Sequence, residues 1–333
     1  MPSSHIRTFN DPHSYQLAIR AATVEVLPIT RGNFHAELIQ IDLHRLRLES
    51  GRESLPRISH GSVKADRAAI QFLVDRGQPG IRCRGIEALP GDIIVRDSDA
   101  AHGRTSAPCH WGCISLTPTD LAAAGRAVAD RELTPPLVTH VVRPPPALMA
   151  RLLFLHERAA HIAKFAPDRF AYPEMTRSLE QALIRAVVRC LTEAEPIEIR
   201  ASSSRHSVVI RRFEDFLAAN RYEPVYLVEL CAAIGVSERT LRICCREHLG
   251  MAPLHYLWLR RMHLAHRALM FADPASATVT EIATEHGFWE LGRFSVEYRV
   301  LFGEPPSVSL HRSPSGRRVL PNRPFELADS EFA

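Results

Sequence analysis

Three arginines in the last third of the chain are spaced for contact with a polyanion. Arg239, Arg242 and Arg246 stand at i, i+3 and i+7, so they share one face if this segment is helical. An α-helix fits the major groove of DNA, and an arginine side chain matches guanine O6 and N7 with two hydrogen bonds. Phosphate contacts from the same side chains would add affinity that falls with salt. A solvated arginine face in an arginine-rich chain has the same spacing, so the triplet alone leaves both interpretations open.

The segment around these arginines has the pattern of a helix-turn-helix unit. Apolar residues recur at helical spacing from Leu227 to Ile234 and stop at Gly235. Ser237 is placed to cap the next helix, and Glu238 lies in its first turn. That second helix ends at Gly250. A short helix, a glycine turn and a second short helix predict a motif whose second helix enters the major groove.

The same pattern occurs a second time. Gly287 and Gly303 stand 52 and 53 residues after Gly235 and Gly250, which leaves one extra residue in the second turn. A duplication of this kind is not expected by chance. Residues 253–270, between the units, outline one amphipathic helix about 27 Å long. This length is close to the roughly 34 Å of one DNA turn, so two recognition helices could enter successive major-groove segments.

The open faces of the two recognition helices supply the residues that we expect to contact DNA. Those residues are Ser237, Glu238, Arg239, Thr240, Arg242 and Arg246 in the first unit and Glu290, Gly292, Arg293 and Glu297 in the second. Before the second unit, Thr278 and Glu281 have the spacing of a capping box.

With these motifs in place, residues 212–312 resemble the DNA-binding domain of the AraC/XylS family. The resemblance rests on residues 230–242 (LCAAIGVSERTLR), 280–288 (TEIATEHGF) and 294–307 (FSVEYRVLFGEPPS), and on the linker helix between the units. It covers about a third of the chain. It implies a transcription regulator that binds double-stranded DNA, responds to a small-molecule effector and forms a homodimer, with RNA polymerase as a candidate partner.

Several positions depart from the family pattern. Tyr226 stands where a small hydroxyl cap is usual, and Gly292 and Val296 stand where serine and arginine are usual. At the end of the domain, residues 310–312 replace a terminal Tyr-Arg pair. These departures bear on the DNA contacts of the second unit rather than on its fold.

The N-terminal part is predicted to be rich in β-strands. Segments with β-branched or alternating character cover residues 23–30, 34–48, 68–75, 93–96 and 111–116. Many short strands at close spacing predict a sandwich or barrel. Sensor domains of the resembling family are often cupin-like β-barrels followed by dimerising helices, and the Pro-Gly-Asp turn at residues 90–92 is consistent with that fold.

Helices are predicted over residues 121–132, 147–164 and 173–194. In the last of these, the apolar stripe from Leu179 to Leu191 requires a partner, either the β-domain or a second subunit. Residues 199–204 are serine-rich and predict a linker.

The fold class is therefore α+β: a cupin-like β-barrel with a helical dimerisation segment, then an all-α domain with two helix-turn-helix units. The expected domains are an effector-sensing domain over 1–135, a helical dimerisation segment and linker over 136–204, and the DNA-binding domain over 205–315.

Two groups of residues could instead bind a metal. Cys109 and Cys113 lie four residues apart on one face of a strand, but no second ligand pair has a recognisable spacing. His35, His60 and His102 lie in the barrel, without the compact arrangement of histidines and glutamate that cupin enzymes use. We expect core thiols and core or surface histidines, with no cofactor, no metal and no enzymatic activity. The alternative is a metal-dependent cupin enzyme fused to a DNA-binding module.

Composition limits these interpretations. The 333 residues carry a formal net charge of +4, and all but two of the basic residues are arginines, so overall charge is weak evidence for DNA binding. Seven scattered cysteines predict reduced thiols rather than a disulfide framework. Among them, Cys244 and Cys245 should be buried and inert. No apolar run has the length of a membrane span or a signal peptide, so we expect a cytoplasmic protein.

Overall fold

The computed structural model describes residues 2–99, 101–197, 201–220 and 225–312. The strands are β1 (Ser3–Phe9), β2 (Ala22–Pro28), β3 (Ala36–Asp42), β4 (Arg47–Glu53), β5 (Arg57–Val63), β6 (Ala68–Leu73), β7 (Ile81–Cys83), β8 (Ile86–Ala88), β9 (Ile93–Arg96), β10 (Ala101–Thr105), β11 (Cys109–Leu116), β12 (His140–Arg143) and β13 (Glu195–Pro196). The helices are α1 (Pro12–Ala18), α2 (Pro118–Ala129), α3 (Pro146–Phe165), α4 (Pro173–Thr192), α5 (Ala201–Ala219), α6 (Leu227–Ile234), α7 (Glu238–His248), α8 (Pro253–Phe271), α9 (Val279–Glu285), α10 (Leu291–Phe302) and α11 (Pro306–His311).

The strands form two antiparallel sheets that face each other. Sheet A has the order β1-β3-β4-β11-β6-β9-β12-β13, and sheet B has the order β2-β5-β10-β7-β8. Alternating side chains of each strand point to opposite faces. In β3, Leu38 is buried between the sheets, whereas Ile39 and Ile41 are buried on the other face of sheet A. The predicted α+β fold class, with a β-rich N-terminal part and a helical C-terminal part, is confirmed.

Helices α2, α3 and α4 cover the outer face of sheet A. Helix α2 begins after Thr117, whose hydroxyl accepts a hydrogen bond from the Asp120 N–H at 3.0 Å, and Pro118 occupies its first turn. In α4, Leu183 and Val187 are fully buried, and Leu179 and Leu191 pack against the same core from its edge.

The apolar stripe of α4 therefore finds its partner within one chain. Of the two partners left open by the sequence, sheet A and the neighbouring helices bury it, because an amphipathic helix beside an apolar sheet face gains most by packing there. The predicted homodimer was motivated by an apolar stripe without a partner, and that stripe is buried within one chain. The homodimer stays a prediction.

The predicted division at residue 135 falls within one packed unit. Strand β12, which follows that position, pairs with β9 of sheet A, and β13 pairs with β12. The linker expected at residues 199–204 is also wrong for 201–204, since α5 begins at Ala201; residues 199–200 lie outside the described part. Serine is tolerated in the first turn of a helix, where it can bond to the main chain, so a serine-rich stretch does not by itself exclude a helix.

Several strands were not expected from the sequence. The single segment predicted over 34–48 is the hairpin β3–β4, closed by a hydrogen bond from the Leu43 N–H to the Leu46 carbonyl at 2.9 Å. Strands β1, β5 and β10 were missed because polar residues and glycine interrupt their apolar pattern, as at residues 59–61 of β5 and 102–104 of β10.

The helical domain from α5 to α11 packs on the outer face of sheet B. Leu27 and Ile58, from β2 and β5, are buried in the same apolar cluster as the helices. His263 of α8 donates from Nε2 to the Pro28 carbonyl at 3.0 Å, and Arg82 donates to the Glu247 carbonyl at 3.0 Å. Sheet B is thus enclosed between the sandwich core and the helical domain.

Across the described ranges, none of the helices combines the length and the apolar character needed to cross a membrane.

Candidate DNA-binding surface

Helices α6 and α7 form the first predicted helix-turn-helix unit. Gly235 ends α6 with φ of 69°, a backbone conformation that favours glycine. Ser237 then caps α7, because its hydroxyl accepts a hydrogen bond from the Thr240 N–H at 3.2 Å. Leu241 of α7 is fully buried against the rest of the domain. The turn, the cap and the buried face are as the sequence predicted.

The opposite face of α7 presents its arginines to solvent. Arg239, Arg242 and Arg246 are all exposed, and with Glu238 and Ile243 they line a shallow groove along the helix. Arg242 pairs with Glu238 one turn earlier, a surface ion pair that contributes little to stability. Within the described part of the chain, Arg239 and Arg246 form no ion pair. The groove therefore carries an excess of positive charge, as a surface that contacts phosphate requires.

Ser237 and Thr240 lie at the N-terminal end of this groove. Their hydroxyl oxygens are 2.9 Å apart, and Ser237 is exposed while Thr240 is half-buried. The Ser237 hydroxyl accepts from the Thr240 main-chain N–H in the first turn of α7, and the N-terminus of a helix is a favourable position for a phosphate oxygen. Their assignment as DNA contacts stays a prediction.

Helices α9 and α10 form the second unit. Thr278 and Glu281 make the predicted capping box: the Thr278 hydroxyl accepts from the Glu281 N–H at 3.2 Å, and the Glu281 carboxylate accepts from the Thr278 N–H at 2.9 Å. Gly287 turns the chain with φ of 76°. Phe294 and Tyr298 bury the inner face of α10.

The outer face of α10 is less suited to DNA than that of α7. Glu297 accepts hydrogen bonds from Trp258 of α8 at 2.9 Å and from Arg293 at 2.8 Å. Its carboxylate is therefore held against α8 and is only partly open to solvent. Glu290 and Gly292 are exposed at the start of α10, and Val296 is 64% exposed on the same helix. Among the residues of the second unit that we expect to contact DNA, the one arginine, Arg293, is already paired with carboxylates.

Helix α8 joins the two units as one continuous element. Arg260 donates to the Leu217 carbonyl of α5 at 2.9 Å, and α5 packs with α7 in one apolar cluster, which ties α8 to the first unit. On the other side, His266 Nδ1 lies 2.6 Å from the Tyr298 hydroxyl of α10, and the Arg261 guanidinium lies 5.4 Å from the centre of the Phe288 ring. At 1.5 Å per residue its 19 residues span about 28 Å. The separation of the two units is therefore set by packing.

Buried cysteines of the first unit are chemically quiet. Burial raises the pKa of Cys244 to about 11 and raises that of Cys245 further. Because the thiolate is the reactive form, neither thiol is poised for redox or nucleophilic chemistry, in agreement with the sequence-based expectation.

The metal-binding alternatives have different outcomes. Cys109 and Cys113 face the core between the sheets with Trp111, and burial raises the pKa of each thiol to about 12. His35 is exposed and apart from the other two histidines. His60 and His102, however, are opposite one another in β5 and β10, and Glu214 of α5 joins them. Sequence reasoning missed Glu214, which lies 112 residues after His102 in another domain.

Comparisons with known proteins agree with this geometry. The family described as "Helix-turn-helix domain" matches residues 230–312. The chain is 39% identical over 106 residues to the "Probable thc operon regulatory protein" of Rhodococcus erythropolis, a match over 32% of each protein. It is 32% identical over 103 residues to the "XylDLEGF operon transcriptional activator 2" of Pseudomonas putida, over 30% of this chain and 66% of that protein. The shared region is thus about one domain long, a third of the first relative.

A solved structure extends the likeness only loosely. The AraC-like transcriptional activator CuxR aligns over 80% of this chain and 96% of its own, with 16% identity and a TM-score of 0.42. A similarity at this level is too distant to carry functional detail to this chain.

Proposed function

We propose that this chain, whose C-terminal domain is a helix-turn-helix domain of the AraC/XylS type, is a sequence-specific DNA-binding transcription regulator. The observation that carries the proposal is the open face of α7, where three exposed arginines follow a capped helix-turn-helix. The relatives that share about a third of this chain are transcription regulators, and none is named as an enzyme. A regulator of this kind acts in the cytoplasm on promoter DNA.

Recognition rests mainly on α7. With the helix in the major groove, Arg239 and Arg242 are placed to donate pairs of hydrogen bonds to guanine. Arg246, in the last turn, is placed beside the phosphate backbone, where its charge displaces condensed counterions. Helix α10 enters a neighbouring segment of the groove with fewer charged contacts, since Arg293 is paired with Glu297.

The experiment that tests this function is a selection of bound sequences by the full chain from fragmented genomic DNA. We expect enrichment of one motif with two subsites, and a purified duplex with that motif should bind at least about a thousandfold more tightly than unrelated DNA. A selection that yields no preferred motif, with tight binding to every duplex, would indicate an architectural DNA-binding protein instead.

An effector is proposed to bind between the domains rather than inside the β-sandwich. Inside the sandwich, polar groups occupy the region around Glu53: this buried carboxylate accepts hydrogen bonds at 2.8 Å from both Tyr15 and Trp111, and also pairs with Arg57. A cavity of about 580 Å³ lies instead where the β-sandwich meets the helical domain, a volume in the range of small-molecule sites. Its lining includes Phe34 and His35 of the sandwich domain and His266, Phe302 and Arg312 of the helical domain.

A ligand in this cleft would contact both domains, and it could change DNA affinity only by binding two arrangements of the domains unequally. Pairing of two subunits would add avidity on a two-site operator. The substrates and products of enzymes encoded near the selected sites can be screened for binding by thermal shift. We expect a true effector to lose affinity in Arg312→Ala and Phe302→Ala but not in Arg239→Ala, which removes only a DNA contact.

A further inference from the structure

A cluster of three potential ligands lies where sheet B meets the helical domain. His60 of β5 and His102 of β10 are cross-strand neighbours whose ring centres are 4.6 Å apart. Glu214 of α5 reaches the same point, and one nitrogen or oxygen atom of each side chain lies within 4.8 Å of the other two. His102 and Glu214 are buried, and His60 is half-buried. Two elements of one domain and one of the other thus converge.

We propose that His60, His102 and Glu214 bind one divalent transition-metal ion, with Zn²⁺ the best match, and that this ion joins sheet B to α5. Imidazole nitrogen and carboxylate oxygen are ligands that Zn²⁺ uses, at about 2.0–2.2 Å. Imidazoles also disfavour Mg²⁺ and Ca²⁺, which take oxygen ligands. Three protein ligands leave a coordination position for water.

The surroundings of His102 orient it as a ligand. Its Nδ1 contacts the Glu214 carboxylate, while its Nε2 lies 2.8 Å from the Tyr256 hydroxyl of α8. An ion on Nδ1 would leave the ring proton on Nε2, where it is donated to Tyr256, as second-shell partners of metal-bound histidines usually accept. The His102 main-chain N–H also donates to Glu214 at 3.1 Å, which holds the carboxylate in place. The ion would take the place of the direct bond between His102 and Glu214.

Space for the ion and its water is present beside the cluster. A cavity of about 160 Å³ is lined by all three ligands and by Glu25, Tyr256 and Arg260. One water occupies about 30 Å³ in the liquid, so the cavity can hold an ion with a coordinated water. Glu25 adds a carboxylate to the wall. Without an ion, the cluster would be an ordinary hydrogen-bonded contact between domains, and the experiment separates these two cases.

The test uses the full chain, stripped with a chelator and titrated with Zn²⁺ by calorimetry and with Co²⁺ by absorption. We expect one ion per chain and visible Co²⁺ bands without the charge-transfer absorption of thiolate ligands. His60→Gln and Glu214→Gln should each weaken binding by at least about tenfold, and Tyr256→Phe should cause a smaller loss of the kind seen for second-shell partners. None of these measurements requires DNA, so the metal site stands or falls independently of the proposed function.

Two controls exclude other ligands. His35→Gln removes a histidine of the β-rich domain that lies outside the cluster. The double substitution Cys109→Ser with Cys113→Ser removes the only cysteine pair of this spacing in the sequence of that domain. Both variants should bind the ion as the wild type does. Circular dichroism verifies that each variant folds. If Glu214→Gln does not fold, the affinity of His60→Gln and the Co²⁺ spectrum of the wild type decide whether the metal site exists. Less than stoichiometric binding by the wild type, thiolate bands, or unchanged affinity in His60→Gln would overturn the proposal.

Discussion

At the scale of single residues, Arg242 and Arg293 differ in what their neighbours leave available for DNA. Arg242 has one ion-pair partner, Glu238, whereas Arg293 lies 2.8 Å from Glu297 and 4.0 Å from Glu290. We therefore expect Arg242→Ala to cost about 1–3 kcal/mol on the selected site and to relax base preference at one position. Arg293→Ala should cost less. Dissociation constants on the selected duplex and on unrelated DNA measure both effects.

Either of two results would contradict this ranking. An equal or larger loss of specificity from Arg293→Ala would transfer the main recognition to α10. Unchanged specificity in Arg242→Ala would remove Arg242 from base recognition. Both side chains are exposed, and surface ion pairs contribute little to folding, so neither variant should differ from the wild type in thermal stability.

Arg246 belongs to the last turn of α7, and its expected contact is a phosphate. Removing a phosphate contact weakens all sequences alike and releases one counterion fewer. Arg246→Ala should therefore reduce affinity for specific and unrelated duplexes by the same factor and lower the salt slope by about one. A titration of binding against salt concentration gives the slope, with Arg242→Ala as the comparison. A change confined to the selected site would assign Arg246 to a base instead.

At the scale of elements, two glycines of the helix-turn-helix units have opposite structural demands. Gly235 ends α6 with φ of 69°, whereas Gly292 lies inside α10, and a Cβ atom would meet nothing within 4 Å at either position. The space for a methyl group is therefore equal at the two positions, and the backbone conformation decides the effect of alanine on stability. Gly235→Ala should destabilise the chain by about 1 kcal/mol because the left-handed region is strained for alanine. Gly292→Ala should stabilise it by up to about 1 kcal/mol.

Urea unfolding of the two variants beside the wild type compares these effects directly. Changes of the same sign would contradict a left-handed backbone at Gly235 or a helical backbone at Gly292. Because Gly292 is also an expected DNA contact, binding is measured separately and does not enter the comparison.

The helical elements could be predicted largely because their information is local. Periodic apolar residues, the Ser237 cap and the capping box of Thr278 and Glu281 act within a few residues, and each is found as expected. What could not be predicted depends on distant partners. Nothing near Leu179 distinguishes a sheet from a second subunit as the cover of α4, and nothing near His102 points to Glu214, 112 residues away. Strand β5 is recognisable as a strand only through its pairing with β2 and β10.

At the scale of the whole molecule, burial of His263 makes the docked arrangement sensitive to acid. Burial lowers the pKa of His263 to about 4, although its hydrogen bond to the Pro28 carbonyl raises it slightly. The folded pKa lies below the ordinary value of about 6.5, so the unfolded chain takes up the proton first as the pH falls. Stability is then full above pH 6.5 and is lost as the pH falls toward 4, by about 2 kcal/mol at pH 5 for this residue.

Comparison of His263→Gln with the wild type isolates this contribution. The variant keeps a donor for the Pro28 carbonyl but has no group that titrates in this range. We expect the difference in unfolding free energy between pH 7 and pH 5 to shrink by about 2 kcal/mol in the variant. His156 of α3, whose pKa burial lowers to about 3, has the same sign and should account for part of the remaining slope. An unchanged difference in His263→Gln would show that this imidazole is accessible to protons in the folded chain.

The attachment of α8 to both units limits the operators that the chain can occupy. Trp258 and His266 hold α10 against α8, and Arg260 holds α5, so the reach of the pair is fixed. Insertion of five base pairs between the subsites would place the second on the opposite side of the duplex, and insertion of ten would restore the side but add about 34 Å. With a flexible tether between the units, the operator with ten inserted base pairs would recover the affinity of the original operator. With a fixed spacer, neither insertion restores binding by both units, so both insertion operators should retain only the affinity of one unit.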